Sequence, residues 1–250
     1  AGPGGTLTSF QEGIQILTDT LTSQLGDRVR IGKNVVSIKQ TNGLWEVRSS
    51  DGTVLQADLV ISAAPAYAAA AMLESVDATL VDTLRQIPYS TLSVVCCGFQ
   101  TAGLGHPLDG FGYLVPKEEG RTVLGTLWDS SMFENRAPSG QALLRSMAGG
   151  ACRPELIQLP DEELLKRVRD DLRTIMGIAK APAFSRIIRH QQAIPQYTAG
   201  HGKRLEAIEA RLWQHKGLLL TGNAFKGVGL NDCVAASQAT VERAMEHLGG

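Results

Sequence analysis

Residues 57–65, Ala-Asp-Leu-Val-Ile-Ser-Ala-Ala-Pro, run apolar and β-branched through their centre and end in small residues and a proline. A strand with apolar side chains on both faces can turn neither to water, so it belongs in a parallel sheet covered from both sides. Leu218, Leu219, Leu220 and Thr221 make a second such strand near the far end of the chain. Parallel-sheet texture is therefore expected at both ends, with a different element inserted between.

The insert has its own pattern. Residues 91–99, 110–116, 122–128 and 143–147 are strand candidates, and the charged turn 117–121 joins the middle two. Successive strands joined by turns predict an antiparallel sheet. One helix follows. Pro160 and Asp161 start it, Glu162 and Glu163 sit at its positive end, and Leu164, Leu165, Val168, Leu172 and Ile175 form its apolar face.

Ahead of residue 57, the recurrence of Phe10, Ile14, Leu17, Leu21 and Leu25 predicts an amphipathic helix capped near Thr8 or Ser9. Short β segments are expected at 29–31 and 35–38. A hairpin follows, its arms 44–48 and 53–56 meeting at Asp51-Gly52. The alanine-rich residues 67–73 predict a helix. At the far end, Asn231 or Asp232 caps a helix with Val234, Val241, Met245 and Leu248 on one face.

Composition serves to exclude. A net charge of −1 with no basic run removes the electrostatic footprint of nucleic-acid binding. No apolar stretch reaches the roughly 18 residues of a membrane helix. Cys96, Cys97, Cys152 and Cys233 include no Cys-x-x-Cys pair, so buried reduced thiols are expected over a metal site or a disulfide framework. That suits a reducing compartment, hence a cytoplasmic location. The histidines show no metal spacing, and no Gly-x-Ser-x-Gly elbow marks a hydrolase. No catalytic side chain and no metal ligand is assigned.

Three stretches could carry chemistry. Residues 222–232, Gly-Asn-Ala-Phe-Lys-Gly-Val-Gly-Leu-Asn-Asp, join a strand to a helix. Glycine permits close backbone approach, and the free N–H groups of a helix start attract anions or carbonyl oxygens. A tight turn whose glycines serve packing alone is an equal reading. The loop is neither a Walker loop nor GxGxxG, and GxGxxG occurs nowhere in the chain. Residues 193–201, Ala-Ile-Pro-Gln-Tyr-Thr-Ala-Gly-His, form a rigid connection, for which a structural turn with a buried tyrosine is the stronger reading. Residues 110–116 place Phe111 and Leu114 either on an apolar pocket or, more simply, in the core.

In order along the chain, Gly4-Gly5-Thr6-Leu7 and residues 57–65, 110–116, 193–201 and 222–232 resemble the protoporphyrinogen and coproporphyrinogen oxidases of the flavin amine oxidase superfamily. Ile-Pro-Gln-Tyr-x-x-Gly-His and Gly-Phe-Gly-x-Leu-x-Pro are the more specific signals. The closing Gly-x-Ala…Gly-x-x-x-Asn-Asp is shared with amine oxidases and desaturases. The resemblance spans essentially the whole chain but only the carboxy-terminal portion of the family's length. The family's GxGxxG loop, ribose-binding acid and substrate-carboxylate arginine are thus expected off the chain.

The resemblance implies an α/β plus α+β fold. Residues 1–66 and 191–250 would form part of an FAD-binding Rossmann-like domain, with an antiparallel-sheet substrate-binding domain, 67–190, inserted. It places Val35 on the strand meeting the adenosine side of FAD. Gly222, Asn223, Val228, Gly229 and Leu230 fall at the flavin, and His190 where related sequences often carry tryptophan near it. Phe111, Gly112, Leu114, Leu127 and Met147 would wall the porphyrinogen pocket. The implied activity is oxidation of a porphyrinogen to the porphyrin by FAD and oxygen in haem biosynthesis, with no dedicated general base. Peripheral membrane contact and a homodimer are left open. The alternatives are another flavin amine oxidase or desaturase, against which residues 194–201 argue, and an inactive piece without turnover alone.

Overall fold

The computed structural model describes residues 7–249, so Gly4, Gly5 and Thr6 lie outside the described residues. In chain order come α1 (Gln15–Leu25), β1 (Val35–Thr41), β2 (Leu44–Ser49), β3 (Val54–Ala57), β4 (Val60–Ser62), α2 (Ala66–Met72) and α3 (Ala78–Arg85). Then follow β5 (Tyr89–Gln100), β6 (Gly112–Leu114), β7 (Val123–Trp128), α4 (Asp129–Met132), β8 (Gln141–Gly149) and α5 (Asp161–Met176). The chain closes with β9 (Phe184–Pro195), α6 (His201–Leu212), β10 (Leu218–Leu220) and α7 (Leu230–Gly249).

Two compact units result, each assembled from separated stretches. One joins the chain through Val29 to Ser90–Ala193, and the other joins Arg30–Tyr89 to Ile194–Gly250. The resemblance implies divisions at 66/67 and 190/191, whereas the compact units divide at 29/30, 89/90 and 193/194. Burial explains one shift. Ala66, Ala69, Ala70 and Leu73 of the α2 region, with Leu80, Val81 and Leu84 of α3, pack into the same core as Trp45, Leu218 and Leu220. A side-chain anchor explains another. Arg136 donates to the Phe10 and Gln11 carbonyls, each at 2.8 Å, and to Ser9 Oγ at 3.1 Å, tying the early chain to the inserted sheet.

That anchor also corrects the first helix. It begins at Gln15 and not beside Ser9, because residues 10–13 turn, with the Gly13 amide donating to the Phe10 carbonyl at 3.0 Å. The β segment expected at 29–31 is absent: these residues turn into β1.

In the unit of residues 30–89 and 194–250, the two apolar runs pair as expected. β10 and β4 lie parallel, with Leu218 opposite Val60 and Leu220 opposite Ser62. The hairpin is extended by β1 into an antiparallel sheet, order β1-β2-β3. Trp45 is fully buried there, its indole N–H donating to the Lys216 carbonyl at 3.0 Å. α7 departs from expectation. Its small residues Thr240 and Ala244 are buried, while Val234, Val241, Met245 and Leu248 stay more than half exposed.

In the other unit, five strands take the order β6-β7-β8-β5-β9, with β8 in the centre. The β6–β7, β7–β8 and β8–β5 pairings are antiparallel. Alternation decides which face is covered. Val95, Cys97 and Phe99 of β5 and Ala142, Leu144 and Ala148 of β8 pack on Leu164, Val168 and Leu172 of α5. Asp171 of α5 binds the sheet end directly, accepting from the Thr122 and Val123 amides at 2.7 and 3.0 Å.

Candidate functional site

The opposite face of that sheet is not covered by α5. Antiparallel register places Gly112, Leu127, Arg145 and Cys96 in one cross-strand row, and Leu114, Gly125, Met147 and Val94 in the next. Four of the five residues expected at the porphyrinogen, Gly112, Leu114, Leu127 and Met147, thus share one face. Phe111 precedes it, 61% exposed, and Leu114 is 79% exposed. The simpler expectation that Phe111 and Leu114 are core residues does not hold.

Gly112 has a backbone reason of its own. Its φ is +131°, and a Cβ would stand 2.0 Å from the Thr126 carbonyl oxygen across the β6–β7 pair. Only glycine lets β6 lie this close. Phe184 sits against Gly98 on the uncovered face, and Ile187 packs into the core. Alternation along β9 then turns Arg186, Ile188 and His190 to the same face as Phe184.

A charged pair interrupts this apolar surface. Arg145 donates to Asp129 Oδ1 at 2.7 Å, and the Asp129 side chain is only 10% exposed. Burial pushes the Asp129 carboxyl above its ordinary value, against the opposing pull of Arg145 and Arg136. Cys96, in the same row, is half-buried, and burial raises its thiol too. Buried reduced thiols hold in part: Cys97 is buried, Cys96 and Cys233 are intermediate, and Cys152 is exposed.

In the other unit, the loop after β10 gathers the remaining expected residues. Gly222 leaves the strand at φ +116°, and its carbonyl accepts from the Phe225 amide at 3.1 Å. Ala224 and Phe225 anchor the loop in the core, and Val228 and Leu230 remain about half exposed. Gly227 stands at φ +69°, where a Cβ would fall 2.1 Å from the Asp232 Cβ. Asp232 accepts the Gly229 amide at 3.2 Å, and the first-turn N–H groups of α7 have no partner within the helix. The helix begins at Leu230, one residue before Asn231 and two before Asp232, so both expected caps lie inside it.

Beside the loop, at the carboxyl ends of β4 and β10, Ser62 Oγ and Thr221 Oγ1 are buried with no hydrogen-bond partner among the described residues. Open α/β sheets bind ligands at such strand ends. Gly222, Phe225 and Lys226 also line a cavity of about 230 Å³ closed by α6 and α7. Val35, the expected adenosine-side residue, is the first residue of β1, beside a register shift, and packs at the edge of this unit's core. The carboxyl-end hydroxyls, the glycine conformations and the helix-start amides fit the ring carbonyls and ribityl or phosphate oxygens of a flavin nucleotide.

Sequence reasoning missed one link. The Tyr197 ring stacks on His201 with centroids 4.1 Å apart, and His201 is 7% exposed with neither ring nitrogen bonded. Burial pulls the His201 pKa down. β9 and α6, whose junction holds these residues, gave no clear periodic signal.

A sequence profile of flavin containing amine oxidoreductases matches residues 2–245. Chloroplastic protoporphyrinogen oxidase of Oryza sativa subsp. japonica is 31% identical, the alignment covering 98% of this chain and 48% of the rice protein. Coproporphyrinogen III oxidase of Bacillus subtilis is 28% identical, covering 98% of this chain and 52% of its own. Human protoporphyrinogen oxidase is 33% identical, covering 92% and 50%. Among solved structures, a putative protoporphyrinogen oxidase of Exiguobacterium matches 99% of this chain and 54% of its own, with TM-score 0.86 and 26% identity. UDP-galactopyranose mutase shares the fold alone, with TM-score 0.77 at 16% identity. The chain spans about half the length of the relatives it matches.

Proposed function

Because the chain belongs to the flavin-containing amine oxidoreductase family, we propose that it forms part of an FAD-dependent oxidase of haem synthesis, converting protoporphyrinogen or coproporphyrinogen to the porphyrin with oxygen as acceptor. The observation that carries this reading is that Gly112, Leu114, Leu127 and Met147 share one largely apolar sheet face, opposite the one that packs on α5. A porphyrinogen presents a broad apolar surface, and such a face can hold it while excluding water.

The unit of residues 30–89 and 194–250 is assigned to FAD, and the unit of residues 90–193 to the substrate. Val35, Gly222, Asn223, Val228, Gly229 and Leu230 are the proposed cofactor contacts on the first, and His190 is proposed as a further cofactor contact. Phe111 joins the four sheet residues as substrate wall. The flavin, when bound, supplies the electron acceptor for the macrocycle's hydride equivalents. The chain's own part is to present amides at the start of α7 to the ring oxygens and to hold the macrocycle against an apolar face. No side chain is needed as a general base. Peripheral attachment to a membrane would fit a poorly soluble substrate, and a cytoplasmic location fits the free cysteines.

The test is fluorometric: the full-length protein, loaded with FAD, is given each porphyrinogen under air. Porphyrin fluorescence growing with enzyme concentration is expected. A flavin-loaded protein that oxidises neither substrate, yet turns over an amine, would transfer the chain to the amine-oxidase reading.

A further inference from the structure

Arg145 is the one charged residue among the central strand's side chains on the uncovered sheet face. Leu143 and Met147 flank it along β8, while Cys96 and Leu127 stand opposite it on the neighbouring strands. A guanidinium set among apolar side chains carries a desolvation cost that needs an offset. Asp129 supplies only part of one. The Arg145–Asp129 contact uses a terminal nitrogen, while Arg145 Nε is buried and bonded to nothing among the described residues. The side chain as a whole is 44% exposed, so it can be reached from solvent. Arg186, brought to the same face by the alternation of β9, adds a second positive charge near Cys96. Asp129 is the carboxylate acting on this row, whereas Arg145 and Arg136 act on Asp129 and Arg145 and Arg186 act on Cys96, which leaves the surroundings positive.

We propose that Arg145, steadied by Asp129, is the group on this face that binds a carboxylate of the substrate. The inference rests on the porphyrinogen reading and deepens it, since porphyrinogens are apolar macrocycles edged with propionate carboxylates. Guanidinium geometry suits a carboxylate, because two parallel N–H groups meet two oxygens. Asp129 holds the side chain in place, so less rotamer freedom is lost when the carboxylate arrives. Arg145 is a binding and orienting residue. It takes no proton in the reaction.

The experiment uses the full-length, FAD-loaded protein with coproporphyrin III as the free acid and as its tetramethyl ester, titrated by fluorescence in one detergent. Wild-type protein should bind the acid more tightly than the ester. Arg145→Gln should weaken the acid roughly tenfold and leave the ester unchanged, raising KM for coproporphyrinogen while kcat holds. Arg145→Lys should recover part of the loss. Equal weakening of acid and ester would show a merely structural role and overturn the proposal, as would no change in either. Wild-type preference for the ester would overturn it without any variant. Wild-type protein that binds neither porphyrin and oxidises no porphyrinogen would instead sink the porphyrinogen reading itself.

Discussion

The Tyr197 hydroxyl donates to the backbone carbonyl of Asn223 at 2.6 Å. It joins two of the stretches that carry the family resemblance, 193–201 and 222–232, through a tyrosine that is 43% exposed and so is no buried turn residue. The loop proposed to meet the flavin is thereby held at its first turn by the segment that follows β9. Tyr197→Phe removes this bond without changing ring packing. It should cost about 1 kcal/mol or less, since the site is wet, and speed amide exchange across residues 223–228. Exchange rates there equal to wild type would show that the bond does not hold the loop.

Gly227→Ala should be worse than an ordinary loop change. The residue stands in the left-handed region, and its new Cβ would collide with Asp232, the side chain that accepts the Gly229 amide. A penalty of roughly 1–3 kcal/mol in denaturant unfolding is expected, with weakened FAD retention in the full-length protein. Gly202→Ala, where nothing lies within 4 Å, is the matched control and should be near neutral.

Asp77 ties two helices of its unit together. It accepts the Leu80 amide at 3.0 Å, which caps α3, and it meets Arg211 and His215 at 2.7 and 2.8 Å, which ties in α6. Burial alone would raise its carboxyl pKa, but the Leu80 amide, His215 and Arg211 outweigh that and hold it well below the usual range. A depressed carboxyl stabilises the fold above its unfolded pKa and loses that contribution as pH falls toward its folded one. Asp77→Ala should therefore cost roughly 2–4 kcal/mol at neutral pH, and the gap between variant and wild type should shrink below about pH 4. Denaturation curves at a series of pH values check the sign.

The thiols should react in a fixed order. Cys97 is buried and its pKa is pushed up to about 12, chiefly by burial, so almost none is thiolate near neutrality. Cys152 is exposed. A chromogenic disulfide at pH 8 should label Cys152 first and reach Cys97 only on unfolding, and peptide mapping would show the order.

The 250 residues expressed alone should retain FAD weakly and oxidise no porphyrinogen, because GxGxxG, which cradles the pyrophosphate, is not among them. Stoichiometric flavin and turnover in the purified chain would refute this.

Much of the fold was legible because burial on two faces, or on alternate residues, writes itself into the pattern. The parallel pair at Val60 and Leu218, the hairpin around Asp51, and α5 with its buried Leu164, Val168 and Leu172 are such cases. β9 was not legible: Arg186, His190, Gln191 and Gln192 leave most of it polar and exposed, with little of the apolar alternation that marks a strand. α3 is short, and its apolar residues Leu80, Val81 and Leu84 blur into the strand-rich stretch after it. At the candidate site, the resemblance named Gly112, Leu127 and Met147, but only the strand register put Arg145 among them. Tyr197's partner is a backbone carbonyl, which has no signature in sequence.

Each unit closes on itself only after the chain has left it and returned. Val60 is made long before its neighbour Leu218, with all of the other unit's strands synthesised between them. On the ribosome, β4 must therefore wait unpaired while an antiparallel sheet of more local contacts assembles first. Slowing translation after β9 should do little for the late pair. A chaperone that shields an apolar strand through that delay should raise the yield of folded protein more than any change to the sheet that forms early.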